Sequence, residues 1–420
     1  MKRALRYMLF GLLALILTAG AAIFVIARLV LAPGAGEWAA RVHLVGPVEF
    51  DVGVPTVVRL VTTSWFAPWL DGQTLDTRHG TLAFAWNASS GMLEMRCAPC
   101  SATLPALGTQ PVRVERLLIT LRRNVNLLSG SIEATPPAAG SAAALRARWE
   151  GRLSQKTLEL SADAPDAPIA SWYAVLAPQV PELQRATIRG MLALKGQLSL
   201  PAERFAVQPR LTGFAVEGLG TEAMLGARTA CGPPSRLSGD SWLARAVIAA
   251  EDQRFYQHTG YDMAELAAAF EANQSKGAIE RGGSTLTQQL ARVLVTGSER
   301  SAERKLRELL YAVEMEQTLG KARILQLYLD NAPWGPDGLC GAEAAAKRYF
   351  KRNAARLEPA QAVWLAAMLH NPAAELDKWR STGQIDAARA KWVAEGIRGI
   401  TRGQREMVLK GVEKAKFAAP

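Results

Sequence analysis

Two glutamates and several arginines in the second half of the chain have the types and spacing for group-transfer chemistry. Glu251 and Asp252 are adjacent and are followed by Phe255, His258 and Gly260, in the pattern Glu-Asp-x-x-Phe-x-x-His-x-Gly. A positioned carboxylate can take a proton from an attacking hydroxyl; alone, such a pair is more often a solvated helix end. Next comes Gly282-Gly283-Ser284-Thr285-x-Thr287-Gln288-Gln289-Leu290. Glycines leading into a helix expose backbone N–H groups suited to phosphate oxygens, although many loops share that pattern. The third group is Arg304-Lys305-x-x-Glu308, with Arg292 and Arg300 nearby. As an exposed pair, Arg304 and Glu308 would contribute only ~0.3–0.5 kcal/mol. Arg292 and Arg300 could likewise serve merely as surface charge.

Helices must carry these groups. Trp242, Leu243, Ala246, Val247 and Ala250 make one apolar face, with Asp240 placed to cap the helix and Glu251 at its C-terminal end. The helix dipole opposes a negative charge there and raises a carboxylate's proton affinity. Thr285 and Gln288 have capping-box spacing for a second helix, whose buried stripe is Leu286, Leu290, Val293 and Leu294. Leu306, Leu309, Leu310 and Val313 form the apolar face of a third. Helical periodicity runs from Ser241 to the end.

Before it the texture is that of strands. Thr81–Trp86, Arg113–Ile119, Thr157–Leu160 and Met191–Gly196 alternate with period two, as half-buried strands do. A short helix is expected over Ile169–Leu176, and Pro136–Gly140 reads as a loop. The cluster Ala230-Cys231-Gly232-Pro233-Pro234-Ser235 marks a boundary.

With 420 residues, 49% of them hydrophobic, the chain is neither disordered nor collagen-like, and its length suits two or three domains. The net charge of +11 points to nucleic acid, an anionic membrane surface or a phosphorylated substrate. Tyr7 to Ala27 carries no charge and Lys2, Arg3 and Arg6 precede it. A bilayer core needs about 20 apolar residues, so a single-pass anchor with a cytoplasmic N-terminus is expected, in preference to a cleaved signal peptide. Such an anchor exports the basic surface and disfavours nucleic acid. Four histidines and four cysteines argue against a rich metal site. Cys97 and Cys100 are candidates for a local disulfide in an oxidising space, and Cys231 and Cys340 could pair across the chain.

The ordered motifs closely resemble the glycosyltransferase family 51 domain, the peptidoglycan glycosyltransferases of penicillin-binding proteins and monofunctional transglycosylases. Lys321-x-x-Ile324-Leu325-x-x-Tyr328-Leu329 with Asn331, then Gly341–Ala346 with Tyr349-Phe350, and the helix Ala360–Leu369 closed by Asn371-Pro372, extend the match from about Arg236 onward. The strand-rich half more loosely resembles AsmA-like repeats of bacterial envelope proteins.

The resemblance implies an enzyme that polymerises lipid II into β-1,4 glycan strands and releases undecaprenyl pyrophosphate. It makes Glu251 the general base and Glu308 a second catalytic glutamate that positions basic groups or a divalent ion, magnesium or manganese. Arg292 and Arg300 would bind the pyrophosphate. Asp252, Phe255, His258, Gly282, Gly283, Ser284, Thr285, Gln288, Gln289, Arg304, Lys305 and Lys321 would shape the substrate cleft. Lipid II, the growing glycan, the inner membrane and transpeptidases or other cell-wall synthesis proteins are the implied partners, and part of Tyr261–Ile279 would dip into the membrane.

The expected fold class is multi-domain α+β: a cytoplasmic stub and transmembrane signal-anchor helix (1–34), a β-rich periplasmic domain (35–230) and an all-α lysozyme-like glycosyltransferase domain (231–420), with no transpeptidase. The chain departs from the family pattern at Arg292, Val293, Gln326, Asp330, Lys351-Arg352 and His370. The alternatives are a non-catalytic envelope scaffold that retains the glycosyltransferase fold, and a lysozyme-like hydrolase, which would leave the arginines unexplained.

Overall fold

The structure, a computed structural model, describes Thr18, Val25 and residues 28–43, 49–77, 79–103, 111–136, 142–268, 282–297, 299 and 301–419. Its residues fall into two compact units. One comprises 1–102, 112–176 and 191–211, the other 103–111, 177–190 and 212–420.

The expected transmembrane helix is overturned. Among the described residues, no helix is long and apolar enough to cross a membrane. Apart from Thr18 and Val25, Tyr7–Ala27 lies outside the described residues, as do residues 137–140 of the expected loop and Phe270 and Ile279 of the expected membrane-dipping stretch.

The first unit is built on strands. β1 (Ala39–His43) and β2 (Glu49–Gly53) pair antiparallel, and α1 (Val54–Val61) follows them. The other strands are β3 (Thr74–Thr77), β4 (Gly80–Asn87), β5 (Met92–Cys97), β6 (Cys100–Thr103), β7 (Pro111–Val114), β8 (Arg116–Asn124), β9 (Leu127–Thr135), β10 (Leu145–Leu153), β11 (Leu158–Pro168), β12 (Thr187–Leu200) and β13 (Arg204–Glu217). Nine of them form one sheet in the order β13-β12-β11-β10-β9-β8-β5-β4-β3, and β6 pairs with β7 separately. Antiparallel registers link the neighbours from β3 through β12. The run Arg113–Ile119, continuous in sequence pattern, is therefore broken at Glu115 between two sheets.

Alternation in these strands buries one face. Leu121, Leu128, Leu153 and Leu158 form a buried cluster, with Trp38, Met95 and Trp149 packed against it. Gly130 is needed there, because a Cβ would lie 1.8 Å from the Thr120 carbonyl oxygen and 2.8 Å from the Trp149 indole nitrogen. α2 covers Ile169–Leu176, the span that its apolar run suggests. Cys97 and Cys100 are joined at the end of β5.

The second unit is helical: α3 (Trp242–Glu251), α4 (Leu286–Ala291), α5 (Ala302–Thr318), α6 (Gly320–Asn331), α7 (Ala342–Phe350), α8 (Pro359–Met368), α9 (Pro372–Thr382), α10 (Ala387–Gly396) and α11 (Arg402–Lys414). α8 is its centre, with Ala362 through Met368 all buried. Such a helix has neighbours on every side, so its apolar residues show no narrow stripe. At its edge the Trp364 and Trp379 rings lie 5.4 Å apart, and Phe417 meets Trp364 edge-on at 5.0 Å. A disulfide joins Cys231 to Cys340.

Two local details place the chemistry. Ser241, not Asp240, caps α3 by accepting from the Ala244 amide. Asp240 instead receives a hydrogen bond from Arg245, which arches back from the first turn. Gly260 has φ +90°, and a Cβ there would stand 2.7 Å from the Ala312 carbonyl oxygen of α5. Only glycine allows this loop to lie against the helix so closely.

Candidate functional site

Glu251 ends α3 and its side chain is 9% exposed. One carboxylate oxygen accepts from the Gln289 side-chain amide at 2.8 Å, and the other lies 3.5 Å from the Arg389 guanidinium. The Gln289 oxygen in turn accepts from the Tyr328 hydroxyl at 3.1 Å. That bond settles which way the amide points, so its nitrogen faces Glu251. Burial pushes the Glu251 carboxyl above its ordinary range, against the pull of the Gln289 hydrogen bond and the charges of Arg389, His370 and Arg292. Desolvation is thus the main cause, where helix position alone suggested the dipole. Burial also holds the Tyr328 hydroxyl protonated well beyond its ordinary range, reinforced by the Glu251 charge.

Asp252 performs a different task. Its buried carboxylate accepts from the Leu286 amide at 2.9 Å and meets the His258 Nε2 at 3.0 Å through both oxygens. It therefore ties the turn after α3 to the first residue of α4. Thr285 caps α4 through a capping box with Gln288, and its hydroxyl donates to the Gly260 carbonyl at 2.7 Å. Phe255 is fully buried and meets His258 edge-on. The carboxylate beside Glu251 is thus a clamp that fixes where α4, and with it Gln289, stands.

The cationic side of the site is held by α5 and its neighbours. Glu308 is 1% exposed, so the exposed-pair reading of Arg304 and Glu308 does not hold. Its two oxygens accept from Arg304 and, at 2.9 Å, from Lys305. Lys305 also donates to the Ser284 hydroxyl, which joins α5 to the glycine turn. Desolvation lowers the proton affinity of the Lys305 amine, while Glu308 acts to restore it. Thr287 and Lys321 both donate to Glu316, at 2.6 and 2.8 Å, and the Lys321 ammonium stands 4.3 Å from the Phe255 ring centre.

Residues 292–296 form a π-helical turn directly after α4. Such turns expel a residue from the regular ladder and recur at functional sites. Here the turn begins with exposed Arg292, whose backbone N–H donates to the Gln288 and Gln289 carbonyls and whose guanidinium has no hydrogen-bond partner among the described residues. Its charge acts on Glu251, Lys305 and Tyr328 alike, which places it among all three. Gly282 and Gly283 lie on the approach to α4, and Arg300 lies outside the described residues.

Apart from Arg300, the sequence-predicted residues thus lie around α3, α4 and α5, with two additions. Arg389 reaches Glu251 from α10, 138 residues further along, and also donates to the Ala250 carbonyl. Glu316 gathers Thr287 and Lys321, and only its separation of five residues from Lys321 hinted at a link. The donors do not fit a divalent cation: among the described residues no cluster of His, Cys, Asp or Glu converges to hold one. Glu308 is already bonded to two cations.

Comparison with known proteins identifies the family of this domain. A family model described as Transglycosylase matches residues 237–398. The biosynthetic peptidoglycan transglycosylase of Thiobacillus denitrificans is 45% identical over 170 residues, which cover 39% of this chain and 71% of that protein. Its counterpart in Chromobacterium violaceum is 49% identical over 130 residues, 31% of this chain and 57% of the relative. That of Alcanivorax borkumensis is 44% identical over 152 residues, 36% and 61%. The chain thus spans less than two thirds of the latter two. The family match does not reach the strand-rich half, so the AsmA-like texture gains no support from it. A matched domain that contains both buried glutamates and the cationic side chains around them places this chain in the transglycosylase family, as a peptidoglycan glycosyltransferase.

Proposed function

We propose that the protein polymerises lipid II in the bacterial envelope, with Glu251 as the general base and undecaprenyl pyrophosphate as the leaving group. The acceptor 4-hydroxyl attacks the donor's anomeric carbon. The new C–O bond forms as the bond to pyrophosphate breaks, inverting that centre in one displacement. Glu251 takes the hydroxyl proton. A base works best when its proton affinity lies toward the working pH, and burial raises that of Glu251 in this direction. Gln289 and Arg389 hold its two oxygens, so the lone pair that receives the proton has a set direction.

The leaving pyrophosphate needs positive charge fixed in advance. Arg292 supplies an unengaged guanidinium, and Lys305 supplies an ammonium held by Glu308 and Ser284. Glu308 then acts by placing Arg304 and Lys305 and transfers no proton.

The observation that carries this reading is one buried carboxylate of raised proton affinity beside a cluster of fixed cations. Purified full-length protein supplied with labelled lipid II in detergent tests it. Wild type should form glycan polymer, and Glu251→Gln should lower the rate by about 10²–10⁴-fold.

A further inference from the structure

The helix that carries Arg304, Lys305 and Glu308 has a second polar stripe, at Arg307, Tyr311, Glu314 and Thr318. At 3.6 residues per turn the spacing of four, three and four keeps these side chains on one face, about a quarter to a third of a turn from the first stripe. Each of them bonds to chain that lies outside the matched family region. Arg307 grips Glu182 with Nε 2.9 Å from both carboxylate oxygens, and Glu182 is only 2% exposed. The Tyr311 hydroxyl accepts from Arg185 at 2.7 Å. Buried Glu314 accepts from the Leu219 amide at 2.8 Å, and Thr318 shares a 2.8 Å hydrogen bond with Thr221. These partners come from two stretches, 177–190 and 212–221, which flank residues 191–211 in the chain and belong to the same compact unit as α5.

A buried ion pair is a poor source of stability, since desolvation offsets most of the attraction, but it is directional. Slippage of α5 by one residue would turn every stripe member by roughly 100° and strand two buried carboxylates. The same rotation would carry Glu308 away from Ser284 and the glycine turn. We infer that the stretches 177–190 and 212–221 form an intramolecular brace that fixes the rotational setting of α5, with Glu182 as a positioning residue for the transfer reaction through Arg307. The inference rests on the proposed function insofar as α5 serves that reaction.

The test uses the full chain at a temperature where circular dichroism shows every variant folded. Glu182→Gln should lower kcat for lipid II about tenfold with KM changed less than about twofold. It should also speed hydrogen exchange in residues 303–310. Replacing both partners by apolar side chains, Glu182→Leu with Arg307→Met, removes the unpaired buried charge and should restore kcat to within about threefold of wild type. An unchanged kcat per folded molecule in Glu182→Gln, however far its melting temperature falls, would overturn the brace. A wild type that makes no polymer would overturn the proposed function instead. In that case the exchange measurement still decides, since unchanged exchange in 303–310 removes the brace.

Discussion

At the scale of single residues, two adjacent carboxylates have opposite roles because their partners differ. Asp252 is saturated by an amide and a histidine, whereas Glu251 has one firm donor and one longer contact. The proton affinity of Glu251 is raised by burial, so it ionises at higher pH than an ordinary carboxyl. A base must be ionised to act; the rate should therefore fall on the acid side at a pH above that of a free glutamate. Gln289→Ala removes a bond that favours ionisation. It should move this acid limb to higher pH and cost about 10–100-fold in rate, both readable in a pH–rate profile.

The same shift has a consequence for stability. A carboxyl with raised proton affinity in the fold contributes stability at low pH and loses it as pH rises through its folded pKa. Glu251→Gln should consequently melt higher than wild type at neutral pH, and the gap should close below the ordinary carboxylate range. Thermal melts at both extremes check this. Two departures from the family pattern also find an explanation here. Gln326 donates to Asp330 at 2.7 Å, and Asp330 accepts from the Ser235 amide and hydroxyl at 2.8 Å each. Gln326 and Asp330 thus pair one helical turn apart on α6, and Asp330, through Ser235, ties that helix to the chain before α3.

At the scale of elements, short-range chemistry was legible and long-range pairing was not. The capping box at Thr285 and Gln288 and the α2 span follow from spacing alone. Ser241 displaced Asp240 as the cap of α3 because Arg245 claims the aspartate. The π turn at Arg292 left no trace in residue type, since Val293 and Leu294 continue a helical stripe through it. Arg389 was invisible for a related reason: it meets Glu251 only because α10 packs against α3, and no local pattern encodes that. Gly260 shows how one residue couples elements. Gly260→Ala would place a side chain in the left-handed region and against the Ala312 carbonyl. A loss of about 2–5 kcal/mol is expected in urea unfolding.

At the scale of the whole molecule, the sequence separated a strand-rich half from a helical half, and both textures are present. The expected membrane span is not, among the described residues. Hydropathy alone had suggested it. The helical unit also takes in residues 177–190 and 212–230, which precede the boundary expected at the Ala230–Ser235 cluster. Strand texture is a property of local alternation; the buried pair of Glu182 and Arg307 joins positions 125 residues apart.

The central claim is that a buried glutamate drives glycan polymerisation. Its most direct test is the rate of polymer formation from labelled lipid II by the full chain, wild type against Glu251→Gln at equal folded concentration. Polymer from wild type and a loss of about 10²–10⁴-fold in the variant are predicted. Equal yields from the two proteins would contradict the claim.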